Sequence, residues 1–269
     1  MSKLPISVFI ICQNEADRIG LVLESVAGLA DEIIIVDSGS EDETLEIARR
    51  FTDKVFYRKW EGFGQQKVYA ESLCKHEWIL NLDADEVLLD EVKNSITELF
   101  SLPAESRKAS YSLDIRHVSI MAKSLQPRPF GPRNLTPRLY NRNKAGFKDS
   151  AVHDKVVNFD GSAPGVLKGP VAHISLKSFS HMWEKIRSYS ELQAHEWTRK
   201  GRKVSPLQLL YDPPFFFIKN YFLRRLCFIG AEGLVMSFAL SAGRALRIGM
   251  AIELRTRQQR QQQDKPPAD

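Results

Sequence analysis

Largely apolar runs that end in polar clusters occur three times in the first hundred residues, and they restrict the fold more than any other feature. The runs Ile6–Cys12, Glu32–Val36 and Trp78–Leu82 have the composition of strands buried on both faces of a sheet. Apolar residues at helical spacing fill Asp17–Leu29 and recur from Thr44 onward. Strands that alternate with helices in this way predict an α/β fold with a mostly parallel sheet.

The polar clusters mark the end of the sheet where a ligand is expected to bind. They lie at Gln13–Glu15, Asp37–Ser40 and Asp83–Asp85, each directly after one of the three apolar runs. Ligands of open α/β sheets bind beyond the carboxyl ends of the strands. We therefore expect the three clusters to line one site.

The pattern changes after about Ser110. Further strand-like segments and one long helix are predicted at 109–120, 136–141, 152–158, 167–174 and 178–199, with a proline-rich loop at 126–133. The predicted domain limits are 1–200 for the α/β domain, 201–257 for a helical extension and 258–269 for a polar, glutamine-rich tail without structure.

Positive charge is concentrated in the C-terminal part of the chain. The net charge is +5, and residues 199–260 hold twelve Lys or Arg against three Asp or Glu. The same part contains an aromatic cluster, Phe215–Phe222, and an apolar stretch, Leu226–Gly243, close to the roughly 20 residues that span a bilayer. Because Glu232 and three glycines interrupt the stretch, the pattern favours amphipathic helices on an anionic membrane surface. An ordinary core helix, or an interface within a homo-oligomer, is the alternative.

The cysteines and the N-terminus indicate a cytoplasmic protein. Cys12, Cys74 and Cys227 are odd in number and far apart, which argues against a disulfide framework. The first residues lack the order of basic, apolar and small residues found in signal peptides. Nucleic acid is not expected as a partner.

Asp83-Ala84-Asp85 suits a hard divalent cation. Two carboxylates in a tight turn after a strand can both approach one Mg²⁺ or Mn²⁺, which prefers oxygen ligands and often keeps phosphate oxygens as partners. The alternative is a solvated acidic turn at the start of the next helix. Asp37 likewise has two interpretations, as an acceptor for a nucleobase N–H or as part of a helix-capping cluster.

The glycine-rich phosphate cradles are absent from the sequence. No GxGxxG follows the first strand, and no GxxxxGK[ST] occurs. A bound diphosphate would therefore need a metal and basic side chains to neutralise its charge.

The three motifs together resemble glycosyltransferase family 2, whose members have the GT-A fold. They are Ser7–Glu15, the segment DEIIIVDSGSEDET at 31–44 and the segment WILNLDADE at 78–86. The resemblance covers roughly residues 5–100 strongly. It continues more weakly to about 195 through three short matches, Arg138-Leu139-Tyr140, Val152-His153-Asp154 and Val171-Ala172-His173. This downstream part is similar to bacterial lipopolysaccharide-core β-glucosyltransferases.

The resemblance implies roles for individual residues. The nucleotide-sugar site would be lined by Gln13, Asn14, Glu15, Asp37, Ser38, Lys67 and Asp83. The metal would be held by Asp85, with Asp83 and His173. An inverting transferase also needs a base near the acceptor hydroxyl. The family's usual Glu-Asp pair is replaced here by His153-Asp154, so Asp154 is the expected base.

The resulting hypothesis is an inverting, metal-dependent transfer of one sugar from a nucleotide-sugar donor. The family resemblance suggests UDP-glucose as donor and a lipid-linked lipopolysaccharide inner-core or other envelope glycan as acceptor, on the inner face of a bacterial cytoplasmic membrane. The motif Gln-x-x-Arg-Trp of polymer-forming members is absent, which favours single transfer. Two alternatives stay open. Asp83–Val87 also fits the DxDx[TV] motif of haloacid-dehalogenase-like phosphotransferases, and residues 199–260 could belong to a non-enzymatic membrane-surface scaffold.

Overall fold

Contacts between Cα atoms divide the chain into two units. The computed structural model describes residues 3–147 and 155–263, with side chains up to residue 260. The first unit holds the described residues up to Val118, Leu125–Pro127 and those from Arg133 to Ser175. The second holds Ser119–Ser124, Arg128–Pro132 and the described residues from Leu176 onward.

The first unit is built on an eight-stranded mixed sheet. Its strands, together with those of a separate two-stranded ribbon, are β1 Leu4–Cys12, β2 Ala30–Asp37, β3 Val55–Tyr57, β4 Trp78–Asp83, β5 Glu86–Leu88, β6 Ser110–His117, β7 Arg133–Asn141, β8 Ala145–Phe147, β9 Val156–Asn158 and β10 Gly165–His173. The order in the large sheet is β3-β2-β1-β4-β7-β6-β10-β5, and β8 pairs with β9. The helices of this unit are α1 Ile19–Ala27, α2 Thr44–Arg49, α3 Phe63–Ser72 and α4 Asp90–Ser101, followed by a 3-10 turn at Ala104–Ser106.

The predicted parallel core is confirmed. Strands β3, β2, β1 and β4 run parallel to their neighbours, and β1 lies in the middle of this group. Its apolar residues are buried on both faces, as the uninterrupted run predicted. The helix α1 covers one face with four buried residues at helical spacing, Ile19, Val22, Leu23 and Val26.

Antiparallel strands complete the sheet and were not predicted. Strand β7 runs antiparallel to β4 with Leu80 opposite Leu139, which places Arg138 beside the carboxyl end of β4. Strand β10 runs parallel to β6 and antiparallel to the short β5, with His173 opposite Glu86. The carboxyl ends of β1, β2, β4 and β10 therefore meet along one edge.

The second unit is helical. Its elements are α5 Phe179–Arg199, α6 Gln208–Ile218, a π-helical turn at Lys219–Leu223, a 3-10 turn at Leu226–Ile229 and α7 Ala231–Gln263. Helix α7 packs against α5 and α6. Helix α5, predicted within residues 1–200, thus groups with the C-terminal helices. Helix α7 also continues six residues into the segment that was expected to lack structure from residue 258.

The glycines of the apolar stretch allow close packing. A Cβ atom at Gly243 would lie 2.4 Å from the Ile186 side chain, and one at Gly233 would lie 1.8 Å from the Leu226 carbonyl oxygen. Within the described residues, α7 is also the one helix long and apolar enough to span a bilayer, over Ala231–Arg260. Of its most apolar segment of 18 residues, 33% is buried within the protein.

Candidate active site

The loops that follow β1 and β2 are joined to each other by side chains. Asn14 has a φ of 56°, and its backbone N–H donates to the Ser40 hydroxyl at 2.9 Å. The Glu41 N–H donates in return to Oδ1 of Asn14 at 2.8 Å. The Glu15 N–H donates to the Thr44 hydroxyl at 2.8 Å. The first two polar clusters of the sequence therefore form one surface, with Gln13 exposed upon it.

Asp37 shapes the loop that follows it. Its carboxylate is buried and accepts hydrogen bonds from the N–H groups of Gly39 at 2.7 Å and Ser40 at 3.0 Å. The Ser40 hydroxyl donates to the other carboxylate oxygen at 2.5 Å. Beside it, the Ser38 hydroxyl accepts from Nε2 of Gln66 at 2.8 Å. The predicted contact between Asp37 and a nucleobase stays a prediction.

Asp83, at the end of β4, is held by two cations. Nη2 of Arg138 lies 2.5 Å from Oδ2 of Asp83, and Nζ of Lys67 lies 3.2 Å from Oδ1. Arg138 also donates to Glu86 at 2.5 Å and to Asn81 at 2.8 Å. Lys67 and Arg138 are almost completely buried. Asp83, Glu86, Lys67 and Arg138 thus form one cluster of acidic and basic side chains at the end of β4.

The charges in this cluster stabilise one another. Burial alone would raise the pKa of Asp83, but Arg138 and Lys67 hold it well below its ordinary value. Burial raises the pKa of Glu86, against the opposing effect of Arg138. Asp83 is therefore a carboxylate whose charge is already neutralised by protein groups.

Asp85 lies between Asp83 and Glu86 in the sequence but has different partners. Its Oδ2 is 3.3 Å from Nε2 of His173 and 3.6 Å from Nη1 of Arg18. Its carbonyl oxygen accepts from the Ile174 N–H at 2.9 Å, which fixes the turn against the end of β10. Arg18, itself buried, also donates to the Ile174 carbonyl at 2.6 Å and pairs with Glu15. This links the strand-one loop to the acidic turn.

The environment of His173 favours its charged form. Burial would lower the pKa of His173, but the hydrogen bond to Asp85 and the charges of Asp85, Glu86 and Asp83 raise it. These carboxylates favour a positive charge at this position. Either the protonated ring of His173 or a metal ion that replaces the proton would supply it.

Asp85 and His173 are suitably placed for a shared metal ion. Neighbouring ligands of an octahedral ion at about 2.1 Å are about 3 Å apart, close to the 3.3 Å between Oδ2 and Nε2. Among the described residues, no group of three or more His, Cys, Asp and Glu side chains could hold a metal. The described residues would therefore supply only a small part of a metal site, through Asp85 and His173. Asp83 faces Arg138 and Lys67 instead.

The predicted base lies outside the described residues. Residues 148–154 are not described, and they include His153 and Asp154. The assignment of Asp154 stays a prediction.

Two arginines of the site had no role in the sequence prediction. Arg138 belongs to the Arg-Leu-Tyr segment, but a contact with Asp83 depends on the antiparallel pairing of β7 with β4. Arg18 follows Asn14 by four residues at the start of α1, where a solvated arginine is the ordinary expectation. Both arginines are identified by their burial next to several carboxylates, and this arrangement can be recognised only in the folded structure.

Comparison with known proteins decides the class of the molecule. The family model described as glycosyl transferase family 2 matches residues 7–148. This chain belongs to glycosyltransferase family 2. The ends of β1, β2 and β4 in the site just described lie within that matched region, whereas His173 at the end of β10 lies beyond it. The α/β sheet is the GT-A fold of the family.

Relatives cover nearly the whole glycosyltransferase. An uncharacterized glycosyltransferase of Rickettsia felis is 37% identical over 257 residues, which are 92% of this chain and 89% of that protein. The lipopolysaccharide core biosynthesis glycosyltransferase LpsC of Rhizobium meliloti is 31% identical over 239 residues, 87% of this chain and 86% of LpsC.

Solved structures show more distant likeness to the glycosyltransferase. Residues 1–349 of S. aureus TarS match with 15% identity and a TM-score of 0.44, covering 95% of this chain and 92% of that one. Glucosyl-3-phosphoglycerate synthase of Mycobacterium tuberculosis, solved with Mn²⁺ and UDP-glucose, matches with 22% identity and a TM-score of 0.32, covering 42% of this chain and 43% of that one.

Family membership separates the hypotheses drawn from the sequence. The chain is an enzyme that transfers glycosyl groups, which excludes a purely structural scaffold. The phosphotransferase alternative required Asp83 as a nucleophile, whereas its carboxylate is bound by Arg138 and Lys67.

Proposed function

We propose that this glycosyltransferase is inverting and metal-dependent and transfers one glucose from UDP-glucose to an envelope glycan. The observation that supports this most is the pairing of Asp85 with His173 at the carboxyl edge of the sheet, 3.3 Å apart. The joined loops after β1 and β2 end at the same edge. A nucleotide on these loops would carry its diphosphate toward Asp85.

Asp85 and His173 would hold Mg²⁺ or Mn²⁺, and Asp83 would support the ribose from within its cation cluster. The bound metal would supply Lewis-acid stabilisation of the charge on the departing UDP. Arg18 would orient Asp85 through their 3.6 Å contact and through the Ile174 carbonyl. Gln13, Asn14, Glu15, Asp37, Ser38 and Lys67 would line or support the nucleotide pocket.

Asp154 would accept the proton of the acceptor hydroxyl while that oxygen attacks C1 of the sugar from the face opposite UDP. The new C1–O bond forms as the bond to the diphosphate breaks, so the configuration at C1 inverts. The lipopolysaccharide-core name of LpsC, aligned over 87% of this chain, supports an inner-core acceptor.

The second unit would keep the enzyme on the inner face of the cytoplasmic membrane, beside a lipid-linked acceptor. Exposed aromatic and aliphatic residues of α6 and an excess of basic residues support this location. A subunit interface within a homo-oligomer is the competing use of the same residues.

A donor-binding titration combined with a transfer assay tests the catalytic proposal. UDP-glucose should raise the melting temperature of the full chain in Mn²⁺, because a ligand that binds only the folded state stabilises it. Asp85→Asn should abolish the Mn²⁺-dependent part of this shift and nearly all transfer. Asp90→Asn is the matched control, since Asp90 pairs with Lys93 on the exposed start of α4.

Full transfer in EDTA would defeat metal dependence. A melting shift with other nucleotide-sugars and none with UDP-glucose would reassign the donor. Transfer to a soluble core oligosaccharide, analysed for the anomeric configuration of the product, would test both acceptor and inversion.

A further inference from the structure

Three arginines of the second unit surround a single tryptophan. The guanidinium carbons of Arg202, Arg244 and Arg247 lie 4.1, 5.1 and 5.4 Å from the centre of the Trp197 ring. Stacking on the ring faces is favourable for each cation separately. It also brings three like charges together, which raises the electrostatic free energy of the group.

One carboxylate offsets part of this charge. Asp212 of α6 receives Nη2 and Nε of Arg244 at 2.8 and 2.9 Å. Arg247 has no such partner within the described residues, and its buried Nε lacks a hydrogen-bond acceptor. Burial, followed by the charges of Arg244 and Arg202, lowers the pKa of Arg247. The cluster as a whole therefore carries excess positive charge and an unused donor.

An exposed apolar surface lies on the same helix as Asp212. We call the apolar surface the set Leu207, Leu210, Tyr211, Phe215, Ile218, Phe222 and Leu223, all exposed. Several members recur at intervals of three or four residues, which aligns them on one side of α6 and the turn after it. Phe215 is 62% and Leu210 75% exposed. Asp212 and Phe216, in contrast, contact Arg244.

Apolar side chains on α6, together with a guanidinium cluster that contacts the same helix through Asp212, suit the boundary of a bilayer. Aromatic and aliphatic groups enter the acyl region, while lipid phosphates remain at the depth of the basic groups. Arginine guanidinium groups match phosphate oxygens through paired N–H donors. A free phosphate would satisfy the arginines but leave the apolar surface in water, so the two features together favour a lipid.

We propose that Arg202, Arg244 and Arg247 form a binding site for the phosphate of an anionic membrane lipid, with the apolar surface of α6 inserted beside it. This rests on the membrane location proposed above and specifies the groups that recognise the lipid. Arg247 supplies guanidinium N–H donors for which the described residues offer no acceptor, and Asp212 holds Arg244 in place for the same ligand.

Co-sedimentation of the full chain with vesicles tests the site. Vesicles of phosphatidylcholine alone are compared with vesicles of phosphatidylcholine and phosphatidylglycerol. Arg247→Gln should weaken binding to the anionic vesicles more than about tenfold, beyond the roughly fivefold effect of an ordinary basic residue near the membrane surface. Arg257→Gln is the control, because it removes the same charge from an exposed arginine of α7 that pairs with Glu253.

The apolar surface has its own variant. Phe215→Ser should reduce the part of vesicle binding that persists at high salt, because apolar insertion is not screened. Leu102→Ser removes a similarly exposed apolar side chain from the first unit and should leave binding unchanged.

The outcomes separate this proposal from the preceding one. Wild-type binding with no loss in Arg247→Gln overturns the phosphate site while leaving membrane location intact. Absence of any wild-type binding to anionic vesicles overturns both. Inorganic phosphate that raises the melting temperature of the wild type but not of Arg247→Gln, without vesicle binding, identifies a free anion and overturns the lipid assignment. UDP-glucose binding, measured on each variant, should remain at the wild-type level, and its loss in Arg247→Gln would overturn a role confined to lipid.

Discussion

The guanidinium of Arg138 lies 2.5 Å from the carboxylate of Asp83. The charge of the first aspartate of the acidic turn is thus neutralised by an arginine of β7, a strand that begins fifty residues later in the sequence. The second aspartate, Asp85, faces Arg18 and His173 instead. Two acidic residues separated by one alanine have different electrostatic environments, and this difference divides their proposed roles.

Removing Arg138 should destabilise the fold. Arg138→Met leaves Asp83 and Glu86 without their shared partner, and breaking a buried pair in this way costs about 3–5 kcal/mol. Urea denaturation of the two proteins measures the change in the free energy of unfolding. Arg50→Met breaks the exposed pair with Glu46 and should change stability very little. If both substitutions change the free energy of unfolding equally, the cluster around Arg138 stabilises the fold no more than an exposed ion pair does.

The proposed role of Asp154 as the base can be tested by replacing its carboxylate with an amide. Asp154→Asn keeps the size of the side chain and removes its basicity, so kcat should fall roughly 10²-fold or more while UDP-glucose binding is retained. Asp160→Asn, in an exposed turn where Asp160 accepts the Ser162 N–H, is the control and should transfer sugar normally. Activity of Asp154→Asn within a few-fold of the wild type would place the base elsewhere.

Asn14 combines a left-handed backbone with a hydrogen bond to the Glu41 N–H. Asn14→Gly can adopt the left-handed backbone conformation but loses the hydrogen bond. Asn14→Ala loses the hydrogen bond and also strains the backbone by about 1–2 kcal/mol. We expect both variants to raise the KM for the donor, with the alanine variant melting at the lower temperature. If both melt at the wild-type temperature, the loops are not held together by this residue.

Glu71 should make stability depend on pH. Its carboxyl group accepts the Tyr140 hydroxyl at 3.0 Å, and burial raises its pKa above the ordinary value of 4.5. The folded state then binds a proton that the unfolded state releases earlier. The stabilisation is complete below the unfolded pKa and is lost as the pH rises through the folded pKa.

Glu71→Gln should flatten this part of the profile, because an amide keeps a polar group in place without ionising. Urea denaturation of both proteins across the acidic to neutral range measures the difference. An identical slope in the wild type and the variant would contradict the assignment to Glu71.

The sequence was sufficient for those parts of the fold that depend on local pattern. The buried strands β1, β2 and β4 follow from uninterrupted apolar runs, and their polar ends follow from the geometry of parallel sheets. The pairing of β7 with β4 could not be predicted, because it joins residues about sixty positions apart without a local signal. The cation cluster at Asp83 depends on that pairing, so its members stayed without a role or received a different one.

The helical unit shows a similar limit. Gly233 and Gly243 were interpreted as interruptions of an apolar stretch, yet Gly243 admits Ile186 and Gly233 admits the Leu226 carbonyl. Whether a glycine breaks a helix or lets a neighbour approach depends on what packs against it, and the residues of α5 are some fifty positions earlier. The continuation of α7 to Gln263 was missed because glutamine-rich composition indicates polarity, whereas glutamine itself is a good helix former.

The hydrogen bonds that join Asn14, Ser40 and Glu41 have a thermodynamic consequence for the donor. Because these two loops are fastened to each other by the protein's own groups, their conformational entropy is lost when the chain folds. A nucleotide that binds there loses its own conformational freedom, but the two loops lose little more because they are already ordered. The heat-capacity change of donor binding should therefore match the area in direct contact, without the larger negative value that accompanies folding of a disordered loop around its ligand.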